Sequence, residues 1–417
     1  MLYISVKEYE KIIIRDTRDV NNKIISKKDL IYLYEIERRL GKRLFIYGNN
    51  YITPVQWVGI ITTPTITFEL KPKLNYESNQ KKIDLERMIK VAYDLPYKIK
   101  INGNHGINKN GLIDIIIALF LDMLEREIKV GLYREYIKTE ENINRIKGRI
   151  NFSKSIKTNA FRKDKFYCTY SKFSLDNKIN RIIKFTLNNI IHFVINNQLR
   201  KKINTLIGYF DETANESITL KDIDSIRYGR KNTKYKPIID VCKYILEHCS
   251  VGMEAGEVNL NYWLFDMNIL FERYIYKSLK KAINYPIKYQ YSNNILLKNQ
   301  QNNDKKFLRL KPDMYIMIDE NRSIIIDTKW KELESSLNAP DIYQMTSYLV
   351  SFEDVKTAII LLPHTEKNEK IIGDYQINTV YFDKKILIRT IDLSIMPTRV
   401  FYNNLTNIIL RVVSPEL

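Results

Sequence analysis

The chain has 417 residues, of which 45% are hydrophobic and 12% aromatic, and its formal net charge is +19. This length exceeds one ordinary hydrophobic core, so we expect two or three domains, and the composition excludes a disordered chain. The longest apolar run, 115–121, is too short to span a bilayer, and the charged N-terminus does not resemble a signal peptide, so we expect no membrane association.

The three cysteines show no C-x-x-C spacing. An odd number of cysteines without such spacing predicts neither a zinc site nor a disulfide framework, and it favours a cytoplasmic location.

Residues 1–145 are predicted to form a β-rich domain with helices. Alternating and β-branched runs indicate strands at 2–6, 11–15, 43–47, 55–62 and 65–70, and apolar spacing indicates helices at 28–40, 83–93 and 112–130. No cluster of catalytic residue types occurs in this region.

Residues 146–255 are predicted to form a basic, mostly helical region. Its helices are expected at 177–195, with Ser174 or Asp176 as the N-cap, and at 242–248. The glycine-rich phosphate loop G-x-x-x-x-G-K-[ST] occurs nowhere in the chain. A nucleotide-driven motor would therefore have to come from another protein.

A strongly basic segment, 144–184, holds twelve Lys and Arg residues against two acids, a net charge of +10. Cations interleaved with aromatic residues are typical of a surface that follows nucleic-acid phosphates, although they can also serve only to keep a lysine-rich chain in solution. The predicted DNA contacts are Arg145, Lys147, Arg149, Arg162, Lys163 and Lys165.

Residues 256–417 are predicted to form an α/β domain with a central mixed sheet. A helix is expected over 263–279, and its Glu272 is either a solvated charge or a third carboxylate near a site. A second helix is expected to begin with Asp341 as its N-cap and to carry Gln344 and Tyr348 one turn apart on one face. Further strands are expected at 358–362, 380–382 and 386–389.

Within this domain, 311–329 reads as a β-hairpin with its charged residues at one end: Lys-Pro-Asp, an apolar run, a polar turn, a second apolar run, and Asp-Thr-Lys. Asp327 and Lys329 lie two residues apart and so share a face of the strand. Asp313 joins them if the loop has an odd number of residues, for which 320–322 would serve.

Two converging carboxylates form an oxygen-donor site for a hard cation such as Mg²⁺, with Mn²⁺ as an alternative. A lysine beside them can orient the attacking water and screen the charge that develops on a phosphate. An ordinary surface hairpin with acids at its ends is the competing interpretation, but P-D, an apolar strand and D-x-K in this order resemble the PD-(D/E)xK nuclease core.

Motifs along nearly the whole chain resemble the McrC family, the nuclease subunits of modified-cytosine-dependent, GTP-driven restriction systems. They are Gly59-Ile60 leading to Lys71-Pro72-Lys73, the 136–149 block ending K-G-R-I, F-S-x-D-x-x-x-N-R-I-x-K from Phe173, L-F-E-x-Y from Leu270, the hairpin, and Y-Q-x-x-x-Y from Tyr343.

The resemblance implies an α/β and α+β multidomain protein whose N-terminal region docks on an oligomer of McrB-like AAA+ GTPase subunits. The partner, and not this chain, would bind GTP, and the C-terminal PD-(D/E)xK domain would cut double-stranded DNA with modified cytosine. By motif match, Asp313 and Asp327 would be metal ligands and Lys329 the catalytic lysine. By the same resemblance, Glu272 and Gln344 would also belong to the active site.

Two alternative functions fit the residues. One is a stand-alone Mg²⁺-dependent nuclease of recombination or repair, which would cut DNA without a GTPase. The other is a non-catalytic DNA-binding adaptor whose acids are structural.

Overall fold

The computed structural model describes residues 2–16, 19, 21–73, 85–94, 112–194, 196–255, 258–292, 295–298, 306–333, 338–378, 383–394 and 398–413. Among these residues, no helix combines the length and the apolar character that crossing a membrane would require. The strand predicted at 380–382 lies outside the described residues.

The strands are β1 Leu2–Lys7, β2 Ile12–Arg15, β3 Ile24–Ser26, β4 Phe45–Tyr47, β5 Tyr51–Pro54, β6 Trp57–Thr62, β7 Ile66–Lys71, β8 Glu135–Ile143, β9 Arg149–Ile150, β10 Phe166–Ser174, β11 Cys249–Ala255, β12 Val258–Asp266, β13 Ile287–Tyr289, β14 Ile295–Lys298, β15 Lys306–Arg309, β16 Met314–Met317, β17 Ser323–Thr328, β18 Val355–Pro363, β19 Gly373–Gln376 and β20 Lys385–Ile391.

The helices are α1 Lys27–Leu40, α2 Leu85–Ala92, α3 Leu112–Val130, α4 Phe152–Asn159, α5 Lys178–Ile190, α6 Asn197–Gly208, α7 Leu220–Asp224, α8 Lys236–His248, α9 Met267–Ala282, α10 Ala339–Ser351, α11 Glu366–Glu369 and α12 Thr398–Val413. Short 3₁₀ turns occupy Ile191–Phe193 and Thr233–Tyr235. The mixture of helices with parallel and antiparallel strands agrees with the predicted α/β class.

Contacts between residues divide the chain into two units. The first holds 1–59, 65–95 and 264–417, and the second holds 60–64 and 96–263. This division differs from the predicted segments 1–145, 146–255 and 256–417, because the N-terminal strands pack with the C-terminal third. Within the first unit, for example, Trp330 Nε1 donates a hydrogen bond to Glu8 Oε2 at 3.2 Å.

The first unit is built on a six-stranded sheet in the order β13-β16-β17-β18-β20-β19. The strand pairs β17–β18 and β18–β20 are parallel, while β16–β17 and β19–β20 are antiparallel. α10 covers one face, where Met345 and Leu349 pack with Ile325, Ile360 and other buried side chains. A smaller sheet, β3-β2-β5-β4, lies in the N-terminal part of this unit.

The second unit combines a helical core with a three-stranded sheet. α5 packs against α8 and α6, and α3 packs against α6 and α8, so their apolar faces form the core. The sheet has the order β8-β10-β9, and β8 and β10 pair antiparallel from Glu135↔Ser174 to Ile143↔Phe166. The region predicted as mostly helical therefore also contains the long strand β10.

The predicted starts of α8, α9 and α10 and the predicted N-cap of α5 are wrong, and α8 begins at Lys236 instead of residue 242. Residues 263–266 end β12, and α9 begins only after Asp266, whose Oδ1 accepts a hydrogen bond from Asn268 N at 2.9 Å. Asn177, and neither Ser174 nor Asp176, caps α5 by accepting from Asn180 N at 3.1 Å. Asn338 precedes α10, because Pro340 suits the first helical turn and Asp341 already lies inside it.

Candidate functional site

The hairpin formed by β16 and β17 has a five-residue loop. Its ladder runs from Met317↔Ser323 to Met314↔Ile326, and Ile318 N donates to Arg322 O at 2.9 Å across the loop. The predicted three-residue loop is therefore wrong. The loop nevertheless has an odd number of residues, which is the condition for Asp313 to share a face with Asp327. Extending the register by one pair places Asp313 across from Asp327, so both carboxylates belong to one face of the hairpin.

Asp313 precedes β16 and is held by the residue that follows Asp327. Its Oδ2 accepts hydrogen bonds from Thr328 N at 2.7 Å and from Thr328 Oγ1 at 2.8 Å. Burial raises the pKa of Asp313 above its usual range, although both hydrogen bonds and the charges of Lys329 and Lys311 favour the ionised form.

Asp327 is the most deeply buried member of the site, with 1% of the residue exposed. Burial and the charge of Asp313 raise the pKa of Asp327, against the opposing effect of Lys329. Its Oδ2 lies 2.5 Å from Lys329 Nζ. This contact is an ion pair without good hydrogen-bond direction, because Oδ2 has no hydrogen-bond partner among the described residues.

Lys329 is held by side chains of α10. Its Nζ donates to Gln344 Oε1 at 2.8 Å, and Gln344 Nε2 donates to Tyr348 Oη at 2.8 Å and to Asp327 Oδ1 at 3.4 Å. Tyr348 Oη in turn donates to Lys311 O at 3.2 Å. Burial lowers the pKa of Lys329, but the charges of Asp327 and Asp313 more than offset it, so the pKa is raised and the ammonium form is favoured.

Glu272 approaches the same site from α9 and is 8% exposed. Burial and the negative charge of Asp313 raise its pKa. Its Oε1 accepts from Gln290 Nε2 at 2.8 Å, while Gln290 N donates to Asp313 O at 2.8 Å. Gln290 therefore connects the two acids.

Gln290 was missed by the sequence analysis. It has a left-handed backbone, with φ of 49°, which costs energy for a residue with a side chain. Nothing in the local pattern of the sequence marks this conformation, since it arises where β13 meets Asp313.

The residues fit a hard cation with few protein ligands. Within the described ranges, no three Asp, Glu, His or Cys side chains form a metal-binding group. Mg²⁺ can use one or two carboxylates and take its remaining ligands from water and substrate phosphate. Asp313 and Asp327 would supply the two carboxylates, and the described residues hold the buried Oδ2 of Asp327 only through its ion pair with Lys329.

The six predicted DNA-contacting cations lie in the second unit, around the sheet β8-β10-β9. All are exposed except Lys165, which is half-buried. None takes part in an ion pair described for the structure, whereas the neighbouring Lys154, Lys178 and Arg181 pair with acids. Gly148, in the turn between β8 and β9, has φ of 64°, and a Cβ there would lie 2.5 Å from Thr169 O, so the turn requires glycine.

Comparison with known proteins identifies relatives. The model of a family described as McrBC 5-methylcytosine restriction system component matches residues 52–363. The Type IV methyl-directed restriction enzyme EcoKMcrBC of Escherichia coli (strain K12) is 25% identical over 313 residues, which cover 70% of this chain and 87% of that relative.

Two solved structures are also similar. A chain of the refined half-complex from the tetradecameric assembly of Thermococcus gammatolerans McrB AAA+ hexamers with bound McrC has a TM-score of 0.70 at 19% identity and covers 97% of this chain and 100% of that chain. A chain of the cryo-EM structure of the Thermococcus gammatolerans McrBC complex has a TM-score of 0.51 at 19% identity and covers 67% and 88%, respectively. At this identity the likeness shows the fold.

Proposed function

Because this chain belongs to the McrBC 5-methylcytosine restriction system component family, we propose that it is the DNA endonuclease subunit of a GTP-dependent restriction complex. In this proposal, the first unit contains a PD-(D/E)xK nuclease that hydrolyses phosphodiester bonds of double-stranded DNA carrying modified cytosine. The observation that carries it is the convergence of Asp313, Asp327, Lys329 and Gln344 at one end of the hairpin.

The two acids would hold Mg²⁺ or Mn²⁺, and Glu272 would lie beside them as a third carboxyl group. A bound cation supplies Lewis-acid polarisation of the phosphoryl group and a more acidic water. The chain itself orients the groups around it: Thr328 fixes Asp313 through two hydrogen bonds, and Gln344 and Tyr348 fix Lys329. Lys329 stays protonated, so it can donate to the attacking water or to a phosphate oxygen.

GTP hydrolysis would belong to a partner. The chain lacks a Walker A loop, and one similar structure is described as McrB AAA+ hexamers with bound McrC. We infer that an McrB-like AAA+ oligomer binds this chain and that residues 1–145 contribute to docking. The exposed cations Arg145, Lys147 and Arg149 would contact DNA phosphates.

The proposal is tested by replacing Asp313, Asp327 and Lys329 one at a time with Ala in the complex with the GTPase. Plasmid cleavage and GTP hydrolysis are measured on the same samples. Cleavage should fall by roughly 10³-fold or more in each variant, because each loses a metal ligand or the lysine that donates to the attacking water or the phosphate. GTP hydrolysis should be retained.

A matched control is Asp319→Ala, at the loop end of the same hairpin, where the side chain is 52% exposed. This change should leave cleavage intact. Retained cleavage in Asp327→Ala would refute the nuclease assignment and favour a DNA-binding adaptor. Cleavage by the purified chain with Mg²⁺ alone would favour a stand-alone nuclease.

A further inference from the structure

A buried carboxylate from the N-terminus lies directly behind the candidate catalytic strand. Glu8 follows β1 and is 3% exposed. Its Oε2 accepts hydrogen bonds from Trp330 Nε1 at 3.2 Å and from Lys73 N at 2.9 Å, and its Oε1 is buried without a hydrogen-bond partner in the described part of the chain. Trp330 is the residue after Lys329.

Trp330 occupies the centre of a tight turn at the end of β17. Lys329 N donates to Leu361 O at 3.0 Å, and Lys331 N donates to Lys329 O at 3.0 Å, so a three-residue turn centred on Trp330 follows Lys329 directly. The indole is 2% exposed and packs on Phe271, with 5.7 Å between ring centroids. The indole therefore lies in the interior between Glu8 and Phe271, the residue that precedes Glu272.

The backbone around Glu8 is fixed as well. Glu8 N donates to Lys71 O, and Tyr9 N donates to Pro54 O, both at 2.8 Å. Tyr9 has φ of 63°, and Lys73 Nζ lies 4.6 Å from the centre of its ring. Glu8 is thus presented from a rigid turn and can hold the indole in one position.

Burying a carboxylate is unfavourable, so stability alone does not explain Glu8. Burial raises the pKa of Glu8 to about 7, and the negative charge of Asp266 acts in the same direction. The hydrogen bonds from Lys73 and Trp330 and the positive charge of Lys73 act against this shift. The clearest consequence of the arrangement is a fixed indole next to Lys329.

We propose that Glu8 is a positioning residue for the nuclease: it holds the Trp330 indole, and thereby fixes the turn that places Lys329 against Asp327 and Gln344. This inference rests on the proposed function. It adds a connection between the N-terminal segment and the catalytic strand, and it gives a role to Lys73 of the Lys71-Pro72-Lys73 motif, whose backbone N–H helps to hold Glu8.

The test uses the full chain in complex with the GTPase and compares Glu8→Ala, Trp330→Phe and Glu8→Gln. Both Glu8→Ala and Trp330→Phe remove the indole hydrogen bond, and Trp330→Phe keeps an aromatic ring against Phe271. At saturating DNA and Mg²⁺, the single-turnover cleavage rate of Glu8→Ala and of Trp330→Phe should fall about 10–100-fold. This size of effect is typical when a supporting hydrogen bond near a site is lost.

DNA affinity and GTP hydrolysis should not change, which separates positioning from a general loss of structure. Glu8→Gln keeps an acceptor oxygen for the indole and should restore a rate close to that of the wild type. The double variant Glu8→Ala/Trp330→Phe should be no slower than the slower single variant, because both changes remove the same contact.

Wild-type rates in both single variants would overturn the inference, as would losses that multiply in the double variant. A fall in DNA affinity and GTP hydrolysis together with cleavage would also overturn it and indicate a purely structural role. Asp327→Ala is run in parallel: if it abolishes cleavage while Glu8→Ala and Trp330→Phe cut at the wild-type rate, the positioning inference fails and the nuclease assignment stands. Retained cleavage in Asp327→Ala refutes both.

Discussion

Asp327 combines almost complete burial with two neighbouring charges of opposite sign, Asp313 and Lys329. Burial and Asp313 raise its pKa, so its proton must leave before it can act as a ligand. Binding of a divalent cation should therefore become tighter as the pH rises. Because the pKa is raised, protons compete with the metal even at pH values above the usual carboxyl range.

The same shift predicts how Asp327→Asn changes stability. Below the usual Asp pKa of 3.8, folded and unfolded chains both hold the proton, so ionisation makes no difference. As the pH rises towards the raised pKa of the folded state, the unfolded chain releases its proton first, and the wild type loses stability. Asn does not ionise.

Without metal, Asp327→Asn should therefore have a higher melting temperature than the wild type at pH 8. The difference between the two melting temperatures should shrink towards pH 4. Adding Mg²⁺ should stabilise the wild type more than the variant, because only the wild type retains both carboxylates. Thermal unfolding with a chelator and with Mg²⁺ across this pH range measures both effects. A variant that is less stable at every pH would contradict the direction of the pKa shift.

Gln290 allows its backbone and side-chain contributions to be separated. Its amide donates to Glu272 from a residue with positive φ, so Gln290→Gly removes the hydrogen bond and relieves the backbone, while Gln290→Ala removes it and keeps the strain. We expect both variants to cut DNA about 10–100-fold more slowly. Gln290→Gly should be the more stable in thermal melts. Equal melting temperatures would mean that the backbone here is not strained.

At the scale of elements, the segment around the sheet β8-β10-β9, from the turn after β8 to the loop after α4, carries exposed cations and exposed apolar side chains together. Ile146, Phe152 and Phe161 are 56%, 70% and 101% exposed. Apolar residues at such exposure are a feature of protein-binding surfaces. The segment can therefore contact DNA, the partner, or both, and the salt dependence of DNA binding distinguishes these possibilities.

If the cations contact phosphates, Arg145→Ala/Lys147→Ala should weaken binding to all DNA sequences alike and lower the slope of log K against log salt by about 0.9 per lost contact. The control Lys154→Ala/Lys178→Ala removes the same charge, but these lysines pair with Glu140 and Asp222. An unchanged slope in the first variant, with weaker GTPase stimulation, would assign this segment to the partner.

At the scale of the molecule, local sequence patterns predicted much of the geometry of the candidate site, whereas contacts between distant parts of the chain could not be predicted. The apolar runs and the odd loop brought Asp313 to the face of Asp327, and Gln344 and Tyr348 share a helix face as their spacing requires. The predicted length of the hairpin loop was wrong, because the residues at which β16 and β17 end depend on pairing with neighbouring strands and not on the local sequence alone. The contact between Glu8 and Trp330 joins residues 322 positions apart, and no periodicity reports such a pairing.

The division into two units predicts which fragments fold. Residues 96–263 contain the packed helices α3, α5, α6 and α8 and the sheet β8-β10-β9, so this fragment should unfold in one cooperative thermal transition. Residues 1–251 lack the C-terminal part of the first unit, including Trp330. This truncation should therefore expose apolar surface and melt with lower cooperativity.

Circular dichroism melts and binding of a hydrophobic dye measure the difference, and the full chain serves as the control. The folded fragment 96–263 then tests docking, because it lacks most of the N-terminal β-rich segment. If residues 1–145 are needed for docking, the fragment should fail to stimulate GTP hydrolysis by the partner. Full stimulation by 96–263 would place docking in the second unit and leave the N-terminal strands to support the nuclease through contacts such as that of Glu8.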